Sequence, residues 1–434
     1  MDFRGGCSSK CRRTVVALSF VGLACGARSE LLPGNVNSTA GGNPPIAHAG
    51  TTASSGTASS GTAGISAGTG GASAGTSGTN TGGGGDNAPT AESCRALQVV
   101  GDSTHTCALT AAHTVRCWGD NTFGQLGDGT NANRSTPGPE MLSGVKALAA
   151  SAGLTCAVTL AGRVECWGVT NGLLGKSTAE LPLTRSPVTI TQGADDIVLS
   201  PAAACALTQT GGVRCWGADF DGRSGLEAHS PPDTDALSGV RSLNASPESS
   251  IVCAVTTGDT LRCWLYAVGE ATLRGPSVDL LDAVQSVSAG SRTCVVTHDA
   301  RLRCWYGVDF RGHPMHAMLL EGGAGPFNID SLTNIAAVSA SNDGGCLLTT
   351  QGGVRCWGAG ESGQLGDGSL ASRYDITGQD VVSDAGSVLA VTQRSCAITN
   401  DGRLYCWGAG RYGELGDGNV KSMQSKPMRI PLCP

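Results

Sequence analysis

Aromatic residues are scarce in this 434-residue chain, where Phe, Trp and Tyr together make up 4%. A helical bundle or a large α/β core draws its packing from bulkier residues, so neither suits this composition. Charge is also scarce, at 15% of residues. The formal balance of −6, with a pI near 5.6, leaves no electrostatic footprint for a phosphate backbone, and nucleic acid is not an expected partner. Beyond the N-terminal leader no stretch is long and apolar enough for a transmembrane helix. Cys-x-x-Cys, the usual spacing of paired thiols, is absent. What the chain does have is glycine and cysteine, 65 and 19 residues respectively. Many short apolar runs separated by Gly point to an all-β protein of tight turns, and so many cysteines point to an oxidising compartment.

The N-terminus supplies a route there. Arg4, Lys10, Arg12 and Arg13 form a basic region ahead of a short apolar run from Thr14 to Ala24. That run is too short for a bilayer and has the make-up of a signal peptide, placed here over residues 1–24. Leu23-Ala24-Cys25-Gly26 resembles the lipobox of bacterial lipoproteins, which implies lipidation of Cys25 and a mature N-terminus there. Gly22 departs from the larger aliphatic residue usual in that motif. Ordinary cleavage after Cys25-Gly26-Ala27 is the alternative. Residues 25–93 then form a tether, since from Pro33 to Ala91 the chain is almost wholly Gly, Ser, Thr, Ala and Asn. Such a composition buries too little to offset its ordering entropy and should be disordered. A coil of roughly 60 residues spans about 45 Å, enough to hold a folded domain clear of a membrane.

Residues 94–434 are repetitive. Seven times a cysteine is followed after nine residues by a second one, directly before Trp: Cys107 and Cys117, Cys156 and Cys166, Cys205 and Cys215, Cys253 and Cys263, Cys294 and Cys304, Cys346 and Cys356, Cys396 and Cys406. All seven Trp sit at that position, and the units start 49, 49, 48, 41, 52 and 50 residues apart. A period of that size with hairpins inside marks a propeller blade. The expected fold is a seven-bladed β-propeller of four-stranded antiparallel blades, with units near 95–144, 145–194, 195–239, 240–283, 284–334, 335–385 and 386–433. In each unit an apolar strand such as Val145–Ala150 precedes the two cysteine-bearing strands. A Gly-rich loop then leads to an outer strand such as Ser186–Ile190, where Pro187 suits an edge.

The unit running from His105-Thr106-Cys107 through Cys117-Trp118-Gly119 to Gly124-Gln125-Leu126-Gly127-Asp128-Gly129 resembles the regulator-of-chromosome-condensation repeat family. The loop recurs at Gly363–Gly368 and Gly413–Gly418. The resemblance implies the family's seven-bladed propeller. The cysteine pairs depart from the family, as do units 4 and 5, which lack the loop. The best-known member binds chromatin and a small nuclear GTPase, which an exported acidic lipoprotein would not meet.

Turn chemistry fixes the partner of each cysteine. If Cys156 faces Cys166, Leu160-Ala161-Gly162 is a three-residue hairpin loop whose third position is left-handed, where Gly is at ease. Gly162, Gly211, Gly352 and Gly402 hold that position; His113, Asp259 and Ala300 hold it in the other units. Directly opposed residues are within disulfide reach. Seven hairpin bonds leave Cys94 and Cys433, at opposite ends of the array, as a clamp closing the ring. Free thiols or metal ligands are the alternatives, with only seven His along the chain.

No catalytic constellation stands out, and no cofactor or metal is expected. His105 beside Cys107 reads as structural. The Leu-Gly-Asp-Gly loops read as turns rather than calcium or phosphate loops, lacking spaced carboxylates and a following Lys-Ser/Thr. The function expected is that of a monomeric, non-catalytic scaffold in the cell envelope, binding a protein or glycan through loops that depart from the repeat. Phe220, Arg223, Tyr266, Tyr306, Phe310 and Arg311 in units 3 to 5 are the candidate contacts, being of hot-spot types. A sialidase-like glycan hydrolase and an enzyme-inhibiting propeller are the alternatives. Membrane association through the lipid on Cys25 is testable directly: Cys25→Ser should release soluble protein or stall processing, whereas an unlipidated mature N-terminus at Arg28 would discard the anchor.

Overall fold

The computed structural model describes residues 90, 92–169, 183–201, 203–217, 235–265, 280–306, 332–376 and 378–433. They build seven antiparallel sheets, each made of strands consecutive in the chain. Blade 1 holds Ala96–Gly101, His105–Thr110 and Val115–Gly119, and blade 2 holds Val145–Ser151, Leu154–Thr159, Val164–Val169 and Leu183–Thr191. Blades 3 to 6 begin at Ala194, Val240, Val284 and Ile335, and blade 7 runs from Ala385 to the outer strand Ser422–Ile430.

The expected seven-bladed antiparallel architecture is present, and among the described residues each sheet holds three or four strands, the fourth forming a regular ladder in blades 2 and 7. In blades 1, 3, 4 and 6 the outer segment touches the third strand at isolated bridges, such as Gly119 with Arg134 and Val354 with Val382. Side chains hold it where the ladder does not. The Arg before the second cysteine reaches outward to an acidic residue of its own blade: Arg116 to Glu140 at 3.0 Å, Arg214 to Asp235 at 2.7 Å and Arg355 to Asp380 at 2.6 Å. Pro187 and Pro427 sit where the outer ladders of blades 2 and 7 skip a residue, so their missing N–H groups interrupt nothing.

The cysteines of every hairpin face each other, from Cys107 opposite Cys117 to Cys396 opposite Cys406, and each pair is bonded. The third loop residue is left-handed in all seven: four glycines at φ from 77° to 83°, with His113, Asp259 and Ala300 at 58–59°. Its carbonyl then takes a second role. It accepts the first N–H of the next blade's inner strand, as from Val145 to His113 at 3.0 Å and Ala194 to Gly162 at 3.0 Å. Every inner strand also carries a bulge after its first residue.

Period two puts the disulfide and its flanking aliphatic pair on one face of a blade and Trp on the other. The core is accordingly divided among the seams. Cys156, Val158, Val164 and Cys166 of blade 2 pack with Ile197, Ala206 and Trp216 of blade 3, and Cys107, Leu109, Val115 and Cys117 pack with Leu148 and Trp167. The seventh seam repeats this with residues from opposite chain ends, as Cys396, Ile398, Leu404 and Cys406 meet Val99, Ala108 and Trp118. There too Ala96 N–H donates to the Gly402 carbonyl at 2.8 Å. No strand crosses that seam; Cys94–Cys433 joins its two sides, Cα atoms 5.7 Å apart and 339 residues apart in sequence.

The shared turn geometry makes opposite predictions for two positions. Ala300→Gly removes a left-handed Cβ and should stabilise the protein by about 0.5–1 kcal/mol. Gly162→Ala adds a Cβ 3.2 Å from the Ala194 carbonyl oxygen at φ +77°, and should cost about 1 kcal/mol or more. Calorimetry of the two variants checks both signs.

Candidate functional site

In blades 1, 6 and 7 two described connections meet on the same face of the propeller: the turn between inner and second strands, and the loop after the third strand. In blades 1, 6 and 7 that loop is the Gly-Gln/Glu-Leu-Gly-Asp-Gly segment, and it works as a latch between blades. Its second residue points its side chain at its own loop, where Gln125 Oε1 accepts Phe123 N–H at 2.8 Å and Glu414 accepts the N–H of Arg411 and Tyr412. Its carbonyl accepts the indole N–H of the next blade: Trp167 to Gln125 at 2.9 Å, Trp407 to Gln364 at 2.9 Å and Trp118 to Glu414 at 3.0 Å. The Leu is buried, and the Gly beside it lies so close to that Trp that a Cβ at Gly127, Gly366 or Gly416 would stand 2.6–2.8 Å from the indole. The Asp closes the turn, Asp128 accepting from Thr130 and from Arg134 Nε at 2.8 Å. These bonds occupy the carboxylate and explain the loop without a cation.

Between blades 1 and 2 lies a line of Asp, His and Thr. Asp102 Oδ1 is 3.0 Å from His105 Nδ1, and His105 Nε2 is 2.8 Å from Thr155 Oγ1. The order resembles a nucleophile triad, but His105 and Thr155 are fully buried and Thr155 donates to the Gln125 carbonyl at 3.0 Å. The Thr155 hydroxyl, in the nucleophile's place, is closed off by packing, and the line ties one blade to the next. Burial works against ionisation of Asp102, yet His105 and the N–H groups of Gly153 and Thr104 outweigh it and hold the carboxyl well below the usual carboxylate range. At the seventh seam Arg394, buried, donates from Nη2 to the carbonyls of Asp102 and His105 at 2.8 and 3.2 Å.

All seven inner strands line an axial channel of about 460 Å³. At its loop-face end the turn after the inner strand of blade 4 reaches across the axis. Pro247 accepts from Ser151 Oγ at 2.9 Å, and Glu248 accepts Thr392 N–H at 2.7 Å and Asn342 N–H at 3.4 Å. Blades 2, 4, 6 and 7 thus meet over the channel. Beside this turn a basin of about 540 Å³ carries Asp102, Asp120, Glu248, Gln393 and Phe123 on its walls.

Phe220, Arg223, Tyr266, Phe310, Arg311 and the lipidation candidate Cys25 lie outside the described residues. Tyr306 ends the third strand of blade 5 opposite Arg292, and its side chain is likewise outside them. The exposed aromatics that are described stand elsewhere. Phe123 and Tyr412, 44% and 41% exposed, occupy the same loop position on the adjoining blades 1 and 7. Leu370 and Tyr374 of blade 6 and Val420 of blade 7 are similarly exposed on the connection after the third strand. Sequence reasoning passed over them because it sought departures from the repeat; the variable position one residue ahead of Gly124 and Gly413 was the available signal.

Seven radial sheets with cores in their seams and free loops on one face define a disulfide-stapled β-propeller. The chain carries regulator of chromosome condensation (RCC1) repeats: repeat profiles match residues 99–125 and 335–364, and residues 114–160 and 401–434. The fold is similar to Prp20p from Saccharomyces cerevisiae, studied with its binding to Gsp1p and histones, at 18% identity and a TM-score of 0.55 over 74% of this chain and 87% of that one. It is also similar to human WBSCR16, at 16% identity and a TM-score of 0.56 over 73% and 93% of the two chains. No curated protein matches the sequence.

Asp102→Asn tests the strut between blades. The ionised form is favoured in the folded protein, so its contribution is complete above the unfolded value of 3.8 and is lost as pH falls below it toward the lower folded value. The variant should be less stable by about 2–3 kcal/mol at neutral pH and should lack part of the wild-type decline below about pH 4. Denaturant titrations at several pH values read both effects.

Proposed function

We propose that this chain is a non-catalytic binding scaffold of the cell envelope, recognising a protein or glycan partner through the loop face of its propeller. One observation carries the reading. The seams consume the recurring polar groups of the repeat, while Phe123, Tyr412, Tyr374, Leu370 and Val420 stand exposed on three successive blades and belong to none of the seam cores. Aromatic side chains on variable loops of a rigid frame are the composition of a contact surface. Protein binding by Prp20p, which shares the fold, agrees with such use of a propeller face. Eight disulfides suit the oxidising compartment that a signal peptide and a lipid on Cys25 would reach.

Neither Phe123 nor Tyr412 belongs to a seam cluster, so the double variant Phe123→Ala/Tyr412→Ala should keep the wild-type melting temperature. Against a partner captured from envelope extract, or a glycan found on an array, it should bind at least about tenfold more weakly. Turnover of a glycan in a hydrolysis screen, or unchanged binding by the double variant, would overturn the reading.

A further inference from the structure

We infer that the Cys94–Cys433 bond is a thiol–disulfide exchange site, cut by a small dithiol while the seven hairpin disulfides stay closed, and that cutting it unlatches blade 1. Both its cysteines are half-buried, so both sulfurs stand nearer solvent than those of any hairpin pair buried on both sides. In six hairpins both cysteines are buried, at 6% exposure or less. In blade 5, Cys304 is half-buried but Cys294 is 1% exposed. An attacking thiolate must approach along the S–S axis, and in the seams that line is filled by the neighbouring blade.

The exchange balances with a dithiol as reductant. Its thiolate forms a bond to one protein sulfur, and the electron pair of the old S–S bond leaves with the other. The reductant's second thiol then displaces the first protein sulfur. The products are a cyclic disulfide and two protein thiols, a two-electron transfer. Ser93 Oγ lies 3.9 Å from Cys94 Sγ and donates to the Thr90 carbonyl at 2.7 Å, so it would stabilise a leaving Cys94 thiolate only by turning its proton from that carbonyl.

The effect of reduction also sets this bond apart. A reduced hairpin keeps its thiols opposed across a ladder, with Cα atoms 4.0–4.1 Å apart. Reduction of the clamp leaves blades 1 and 7 joined by the Ala96–Gly402 bond, by Arg95 Nη2 on the Asn400 carbonyl at 3.3 Å, by Trp118 and Thr106 on the Glu414 carbonyl, by Arg394 on the Asp102 and His105 carbonyls, and by seam packing. The inner strand Ala96–Gly101 then loses its covalent hold on blade 7.

The full-length protein, treated natively with limiting dithiothreitol, alkylated and peptide-mapped, should label Cys94 and Cys433 at least about tenfold faster than any other disulfide cysteine. Equal or faster labelling of a hairpin pair, Cys294–Cys304 above all, overturns the selectivity. Hydrogen exchange on the singly reduced protein should speed up by about tenfold or more across 96–101 and leave blades 3 to 5 unchanged. Unchanged protection of that strand overturns the unlatching. Cys94→Ser/Cys433→Ser should show the same exchange pattern without reductant, and wild-type protection in this variant would overturn it too.

Discussion

Every element of this fold depends on one contact, the packing of a hairpin's disulfide face against the Trp-bearing face of the next blade. A blade of three short strands cannot bury its own apolar surface, and a chain with so few aromatics cannot build a single large core. Dividing the core into seams solves both problems. In the seams whose Trp side chain is described, one indole, two sulfurs and a handful of Val, Leu, Ile and Ala close the gap. The disulfide matters here less as a tether than as a compact, dry surface that occupies two ladder positions. Because the unit is a pairwise contact, stability is spread round the ring as a sum of neighbour terms, in the manner of a repeat protein whose ends have been brought together.

The polar groups follow the same logic. Trp indoles go to loop carbonyls, Asp102 and His105 bridge blades 1 and 2, and Arg394 bridges blades 7 and 1. A group so committed is unavailable to a ligand. The side chains left uncommitted lie at the tips of the described loops, where one can change without disturbing a seam. Phe123 and Tyr412 illustrate this: they stand close to a buried latch residue in the chain, yet point outside it.

The seven repeats, the hairpin register and the left-handed third loop position were legible in the sequence because each follows from local spacing. Even the clamp was legible, since counting cysteines left Cys94 and Cys433 over. The outer strands were not. Whether a fourth segment forms a ladder or touches at single bridges depends on the blade's fit, which spacing does not express. The Gly-Gln-Leu-Gly-Asp-Gly loop was readable as a turn but not as a latch, because its partner Trp lies 42 residues away, in Trp167 for Gln125. His105 likewise gave no hint of Asp102 and Thr155, since the line runs across a seam.

The clamp also sets a load path. The chain from the N-terminal side enters the propeller at Cys94, which is bonded to Cys433, before it reaches the first strand. Tension arriving along that chain is therefore passed straight to the last residues of blade 7. It does not run into Ala96–Gly101 and peel that strand from its neighbour one hydrogen bond at a time. Force is shared between two blades by shear across a seam, a geometry that resists pulling far better than unzipping an edge. A propeller held at one point and loaded on its loop face would swing as a rigid body about that joint.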